Sequence, residues 1–330
     1  MDETIILPSG VKEIGGFNDY VGQEEIKNSL KIAISSAQKL GQNLPNIMLH
    51  GSAGLGKTQM ADVIAKEAGR KLCTVIGGTI GKSDEMFGII YAALKEKRIT
   101  NIIPIVYIDE IHRLPKKVEE FLYPVLQDNI VQITSDDGYL TKRIESVPLG
   151  EISFIGATTL LGDLSRPLRD RFRCSFQLQP YSVVEMIKIV KIHFSLNKFA
   201  CTAEAIESIA RRARSTGRVA VNLVKDCIDD AVVSNQDIVT TKVVESTFAR
   251  LGIDEDGLTR GDVIVLKALS KTRRPVGIDC LSAATGIETI TITETIEPFL
   301  LQQELISRTP RGRVVTFKGM EKAGVNPFAE

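Results

Sequence analysis

The sequence predicts an α/β domain with a parallel sheet, then a small all-helical domain, then a C-terminal winged helix. Three observations carry this prediction. From about Tyr20 to Gln179, apolar runs bounded by glycines alternate with helical patterns, as strands covered by helices on both faces require. From Ser182 to Leu251 only helical periodicity continues. From Arg260 onward, three helical stretches lead into a hairpin pattern, a variant of the helix-turn-helix class.

The elements follow in order. Ile47-Met48-Leu49-His50 reads as a strand, a Gly-rich turn follows, and a helix runs from Lys57 to Ala68. Ile102 to Ile108 and Ile152 to Ala157 are two further buried strands. Helices are predicted at Ser182–Leu196, Thr202–Arg214, Val219–Ser234 and Thr240–Leu251, with Ser182, Thr202 and Thr240 as N-caps. Gly252–Thr259, with two glycines and several acids, reads as a boundary. Helices then cover Asp262–Lys271, Asp279–Thr285 and Ile292–Gln303. The hairpin pairs Ile306–Thr309 with Arg313–Phe317 around the turn Pro310-Arg311-Gly312. The expected domains are residues 1–180, 181–253 and 254–330.

Composition sets the outer bounds. The 330 residues leave room for two or three domains. With 43% hydrophobic and 25% charged residues, the chain has the mix of a soluble globular protein. No run of about 18 apolar residues marks a membrane span, and the acidic N-terminus does not read as a secretory signal. The 5 cysteines are scattered singly. That argues for reduced thiols in the cytoplasm and against a zinc site or disulfide framework. A net charge of +0 lends no support to nucleic-acid binding, which must rest on local clusters.

The sharpest chemical signal is Gly51-Ser52-Ala53-Gly54-Leu55-Gly56-Lys57-Thr58, which fits G-x-x-x-x-G-K-[ST] between a strand and a helix. Its glycines let backbone N–H groups close around phosphates, and the helix N-terminus adds partial positive charge. Gly51, Gly54, Leu55, Gly56, Lys57, Thr58 and the following Gln59 are the candidate ATP-binding residues. Lys57 would reach the β/γ-phosphates and the Thr58 hydroxyl would ligate Mg²⁺. Downstream, Ile105-Val106-Tyr107-Ile108 ends in Asp109-Glu110. Asp109 is placed in the Mg²⁺ shell and Glu110 on the attacking water. His112, close by, is given no chemical role, since a lone histidine is more often structural.

A third strand, Phe154-Ile155-Gly156-Ala157, ends in Thr158-Thr159. In AAA+ proteins this is sensor 1, a polar side chain between the acids and the γ-phosphate, and Thr159 is the candidate. Arg166-Pro167-Leu168-Arg169-Asp170-Arg171-Phe172 reads either as a solvated face or as an arginine finger. The finger is assigned to Arg171, with Arg169 as second choice, and would act in trans within an oligomer. Gly217-Arg218 opens a helix, where Arg218 is either a sensor 2 or a surface arginine. Arg308, Arg311 and Arg313 crowd the hairpin tip, with Lys318 beyond and Arg273-Arg274 nearby. The dense charge favours contact with DNA phosphates over a merely solvated hairpin.

Together these residues resemble the RuvB family, the ATPases of Holliday-junction branch migration. The resemblance runs from about Tyr20 to Phe317. It rests on Tyr20-Val21-Gly22-Gln23, GLGKT at Gly54–Thr58, IDEIHRL at Ile108–Leu114, Val118-Glu119-Glu120, Leu122-Tyr123-Pro124, IGATT at Ile155–Thr159, PLRDRF at Pro167–Phe172, Glu297-Pro298, Leu300-Leu301-Gln302 and RTPRGR at Arg308–Arg313. IDEIHRL and RTPRGR are far more specific than the P-loop. The resemblance implies an AAA+ P-loop domain, a helical lid and a winged helix. It further implies a hexameric ring on duplex DNA, with Tyr181 and Arg218 contacting nucleotide. The stretch Val131 to Pro148 corresponds to a hairpin that engages a junction-binding partner, RuvA.

There are departures. Ser52 and Ala53 replace family prolines, Gln59 a threonine, and Arg173 a glycine. Lys12-Glu13-Ile14 matches the adenine-side motif weakly, extra residues lie near Lys95–Asn101, and the hairpin sequence Ser135-Asp136-Asp137-Gly138-Tyr139 differs. The chain thus reads as a divergent homologue, of a kind that phages or mobile elements carry, and its partner need not be the usual RuvA. The leading expectation is an ATP-driven branch-migration motor. A helicase- or clamp-loader ATPase and an ATP-binding, DNA-bound regulator are the alternatives.

Overall fold

The computed structural model describes residues 5–6, 14–136, 142–272 and 274–326. The expectations for Lys12-Glu13, Asp137-Gly138-Tyr139 and Arg273 lie outside the described residues. Contacts divide the chain into two compact units: residues 10–189 with 216–218, and residues 1–9, 190–215 and 219–330.

The first unit is built on a five-stranded sheet in the order Lys71–Ile76, Pro104–Asp109, Ser153–Thr158, Ile47–His50, Cys174–Gln177. Every neighbouring pair is parallel. The three predicted strands are the three central ones. Ile105, Val106, Tyr107, Ile108, Ile47, Leu49 and Ile155 are all fully buried, and each large apolar side chain so placed contributes roughly 1.5–3 kcal/mol. The two edge strands escape a reading based on apolar runs. Lys71–Ile76 carries a lysine and a threonine, and Cys174–Gln177 is half-exposed along its length.

Because the strands are parallel, their carboxyl ends lie on one side of the sheet, where open α/β folds bind ligands. His50 pairs in register with Thr158, and Ile108 with Gly156. Three loops therefore emerge together: the Gly-rich loop after His50, Asp109-Glu110, and Thr158-Thr159. Helices Glu24–Leu40, Lys57–Glu67, Ser83–Thr100 and Lys116–Asp128 accompany the sheet. The first stops at Gly41, whose left-handed φ of 60° closes the helix end. Beyond Lys116–Asp128, strands Ile130–Asp136 and Lys142–Pro148 form an antiparallel hairpin, with Ile130 opposite Pro148 and Asp136 opposite Lys142.

The second unit holds most of the later helices. Ala203–Arg212, Gly217–Val233 and Thr241–Leu251 match the predicted helices within a few residues at each end. Thr202 caps its helix by accepting from the Ala205 amide at 3.3 Å. Thr240, by contrast, makes no side-chain cap bond. The expectation of an all-helical domain needs correction. Ala200–Thr202 pairs parallel with Ile238–Val239 and antiparallel with Ile5–Ile6. Strands of two or three residues are too short for an alternating pattern to register.

The winged helix also lies in this unit. Its core gathers Leu258, Val265, Leu266, Leu269, Leu281, Ile292, Phe299 and Leu300. The third predicted helix is interrupted by a π turn at Ile292–Ile296 between Thr289–Thr291 and Glu297–Gln302. Pro298 has no N–H to continue the regular ladder, and a π turn takes up the mismatch. The hairpin pairs Ile306–Thr309 with Gly312–Val315, with Arg308 opposite Arg313. Phe317, placed in the strand by its sequence, instead opens a helix, Phe317–Lys322. Thr316 caps this helix by accepting from the Gly319 amide at 3.1 Å.

Candidate nucleotide site and nucleic-acid surface

The Gly-rich loop has the backbone its sequence demands. Gly51, Gly54 and Gly56 adopt φ of 139°, 81° and 88°, conformations that L side chains rarely reach. Space is equally restrictive at Gly56, where a Cβ would stand 2.8 Å from the Tyr20 hydroxyl and 3.1 Å from that of Tyr181. The helix Lys57–Glu67 starts directly after this glycine. Lys57 folds back so that Nζ donates to the carbonyls of Gly51 at 2.8 Å and Ser52 at 3.1 Å. Those carbonyls take two of its three N–H donors. Burial lowers the Lys57 ammonium pKa, while the Glu110 and Asp109 carboxylates oppose that shift.

Leu55 is buried, and its carbonyl accepts from the Tyr181 hydroxyl at 3.0 Å. The Tyr20 and Tyr181 hydroxyls lie 3.1 Å apart. Desolvation raises the pKa of both, so both stay protonated donors at neutral pH. The Arg218 amide donates to the Gly54 carbonyl at 3.3 Å. Gln59 sits exposed in the first turn of the helix. In the sequence Tyr20 carries only family likeness; its closeness to the loop is a contact that linear spacing does not reveal.

Across the loop lies a chain of oxygens. Tyr107 donates its hydroxyl hydrogen to Asp109 Oδ1 at 3.0 Å, so Thr58 Oγ1, 3.1 Å away, acts as donor to Tyr107. Thr58 and Asp109 are thus joined through one phenol. A hydroxyl beside a carboxylate is a donor set that suits Mg²⁺, which takes few protein ligands and keeps water and phosphate as the rest. Glu110 has left-handed backbone angles, φ 48° and ψ 51°. Its Oε2 accepts from both the amide and the hydroxyl of Thr159, each at 3.2 Å.

The arginines are placed differently from one another. Arg171 stacks over the Tyr123 ring at 4.5 Å and donates from Nε to the Tyr123 carbonyl at 3.2 Å and from Nη1 to the Pro167 carbonyl at 2.6 Å. Its Nη2 makes no bond among the described residues. Arg169 is half-buried at the end of the short helix Arg166–Arg169, with no side-chain partner among the described residues. On the hairpin of the winged helix, Arg308 and Arg311 are exposed. Arg313 is not. Its guanidinium is buried and makes two bonds to Glu297, so its assignment to DNA phosphates is corrected. Gly312 allows the tight approach behind it: a Cβ there would meet the Val276 carbonyl at 2.3 Å.

Comparison with known proteins follows this geometry along the whole chain. Residues 15–178 match the family model "Holliday junction DNA helicase RuvB P-loop domain", residues 181–254 the "RuvB AAA lid domain" and residues 255–323 the "RuvB C-terminal winged helix domain". The chain belongs to the RuvB family. A Holliday junction branch migration complex subunit RuvB from Lactobacillus johnsonii is 38% identical over 331 residues, covering 100% of this chain and 94% of its own. The counterpart from the Wolbachia of Brugia malayi is 35% identical over 304 residues, covering 92% and 91%. Among solved structures, the Thermotoga maritima RuvB Holliday junction branch migration motor superposes with a TM-score of 0.79 at 34% identity, covering 94% of this chain and 98% of that one. This RuvB-family chain is therefore a nucleotide-binding AAA+ protein. Among the described residues no helix is long and apolar enough to cross a membrane.

Proposed function

We propose that this protein hydrolyses ATP to drive Holliday-junction branch migration, moving duplex DNA in recombination and repair. The observation that carries this reading is the union in one chain of an AAA+ site at the carboxyl ends of a parallel sheet with a RuvB lid and a RuvB winged helix.

In this reading Gly51, Gly54, Leu55, Gly56, Lys57, Thr58 and Gln59 hold the phosphates of ATP, and Tyr181 and Arg218 contact the nucleotide beside that loop. Thr58 and Asp109 would hold Mg²⁺, which would supply positive charge against that of the phosphates. Glu110 accepts a hydrogen from the attacking water, Thr159 reads the γ-phosphate, and Arg171 reaches a neighbouring subunit's site in a hexameric ring. Arg308 and Arg311 bind DNA phosphates. The hairpin over residues 131–148 meets a RuvA-like partner, and the protein works in the cytoplasm. A branch-migration assay on a synthetic four-way junction, with and without a RuvA-type protein, tests the reading. ATP-dependent strand separation supports it; steady hydrolysis with no movement of the junction would point to a loader.

A further inference from the structure

His112 lies where it can hold the Glu110 carboxylate. It follows Glu110 by two residues in the turn Ile111–Arg113, and its side chain is 10% exposed. Nδ1 stands 2.9 Å from Thr158 Oγ1 and 3.2 Å from Glu110 Oε2. Thr158 is buried, and its Oγ1 also accepts from the Leu160 amide at 2.9 Å, which fixes that oxygen in place. An unprotonated Nδ1 would turn its lone pair toward a carboxylate oxygen 3.2 Å away. A hydrogen on Nδ1 avoids that lone-pair contact and gives Thr158 Oγ1 its donor while facing Glu110 Oε2.

One oxygen of Glu110 is thus held by two bonds from Thr159 and faced at 3.2 Å by the His112 ring nitrogen. Its other oxygen, Oε1, has no bond to protein among the described residues and is left to accept from water. We infer that His112 is a positioning residue for Glu110, keeping Oε2 anchored so that Oε1 stays aimed when the Thr159 hydroxyl turns to phosphate. The inference rests on the assignment of Glu110 to the attacking water. In the ground state Thr159 supplies two of the donors on Oε2. Once its hydroxyl is drawn away, the His112 ring nitrogen at 3.2 Å is the side-chain N–H group left against that oxygen among the described residues. A carboxylate loosened by even an ångström loses alignment with its water, a misplacement that lowers rates by roughly 10- to 100-fold.

The test uses the full-length protein with ATP, Mg²⁺ and duplex DNA, measuring kcat and nucleotide affinity separately. His112→Phe keeps the ring volume and removes the donor. It is expected to lower kcat roughly 10- to 100-fold and leave nucleotide affinity unchanged. His112→Asn, whose amide reaches the Nδ1 position, is expected to recover most of the rate; His112→Gln, whose amide sits farther out, is not. The Asn and Gln pair decides the matter even if the Phe variant folds poorly. In a Glu110→Gln background, His112→Phe is expected to add nothing. Unchanged kcat in His112→Phe would overturn the inference, as would equal losses in Asn and Gln together with weaker nucleotide binding, the mark of a purely structural histidine. Wild-type turnover by Glu110→Gln alone would instead remove the assignment of Glu110, and that control separates the two failures.

Discussion

Arg313 and Glu297 form a buried ion pair behind the wing, with Nε donating to Oε1 at 3.1 Å and Nη2 to Oε2 at 2.7 Å. Both side chains are under one-tenth exposed, at 8% and 4%. Glu297 lies at the start of the helix after the π turn, so the pair fastens the hairpin to that helix. Removing one partner leaves a buried charge unpaired. Arg313→Ala is expected to cost about 3–5 kcal/mol, read as a lower unfolding midpoint in denaturant. The double change Glu297→Leu/Arg313→Met is expected to cost much less, since no charge is stranded. Equal losses in the two variants would show that the pair does not act as a unit.

The exposed arginines make a separable prediction. Arg308 is 67% exposed and only loosely near Glu297, at 3.6 Å, and Arg311 occupies the turn. Replacing both with alanine is expected to weaken duplex binding equally on all sequences, because phosphates carry no base information. The slope of log affinity against log salt should flatten by about 0.9 per lost contact. Basal ATPase is expected to persist while its stimulation by DNA falls. A duplex titration at several salt concentrations checks this. A slope equal to that of wild type would mean that the hairpin tip is not the contact.

The contrast between these arginines shows how far the sequence could be read. The alternation of the hairpin was visible, and with it the clustering of three arginines. Which of them turns inward depends on Glu297, sixteen positions away across the helix–hairpin packing, and no local pattern carries that. The central strands were readable because both of their faces are buried, which writes an unbroken apolar run. The edge strands have one polar, exposed edge and write no such run. At the nucleotide site the glycine spacing and the paired acids were plain. The Tyr107 hydroxyl that joins Thr58 to Asp109, and the His112 contact to Glu110, arise from strand register and a tight turn. They carry no motif of their own.

Two substitutions divide binding from chemistry. Lys57→Ala removes the cation that lies against the phosphate loop and is expected to reduce nucleotide affinity by roughly 100-fold or more, about 3 kcal/mol for a charge-assisted contact. Glu110→Gln keeps the shape of the site and the phosphate contacts, so affinity is expected to hold while turnover stops. Fluorescent-nucleotide titration beside a steady-state phosphate-release assay measures both. Wild-type hydrolysis by Glu110→Gln would place the base elsewhere.

Arg171 is expected to act across a subunit boundary. Its planar fork is fixed by the Tyr123 ring and two carbonyls, which leaves Nη2 for a ligand. Lysine cannot reproduce a stacked, two-carbonyl anchorage, so Arg171→Lys is expected to lose activity nearly as fully as Arg171→Ala. Mixed with Lys57→Ala subunits, either variant should regain part of the ATPase, because each supplies what the other lacks. If a verified mixed assembly shows no recovery, the trans role is lost, and Arg169 would be tested in the same way.

The last prediction concerns a glycine outside every motif. Gly77 opens the short turn after the edge strand Lys71–Ile76, and a Cβ there would stand 2.6 Å from the Glu110 carbonyl oxygen and 3.2 Å from its carbonyl carbon. Those neighbours are backbone, and real Cβ atoms essentially never approach so closely. The Glu110 peptide already sits in the left-handed region, where the Arg113 amide holds its carbonyl at 2.9 Å. Gly77→Ala must therefore push the residue that carries the carboxylate, at a cost of about 1–3 kcal/mol for overpacking. The expected result is a protein that binds nucleotide near normally, since Lys57 and its loop are untouched, yet turns over roughly tenfold more slowly or worse, the scale of a displaced catalytic group. Binding and turnover measured on one preparation would test it. Normal turnover in Gly77→Ala would show that the Glu110 turn can shift without disturbing the water, and that its strained backbone is not what aims the carboxylate.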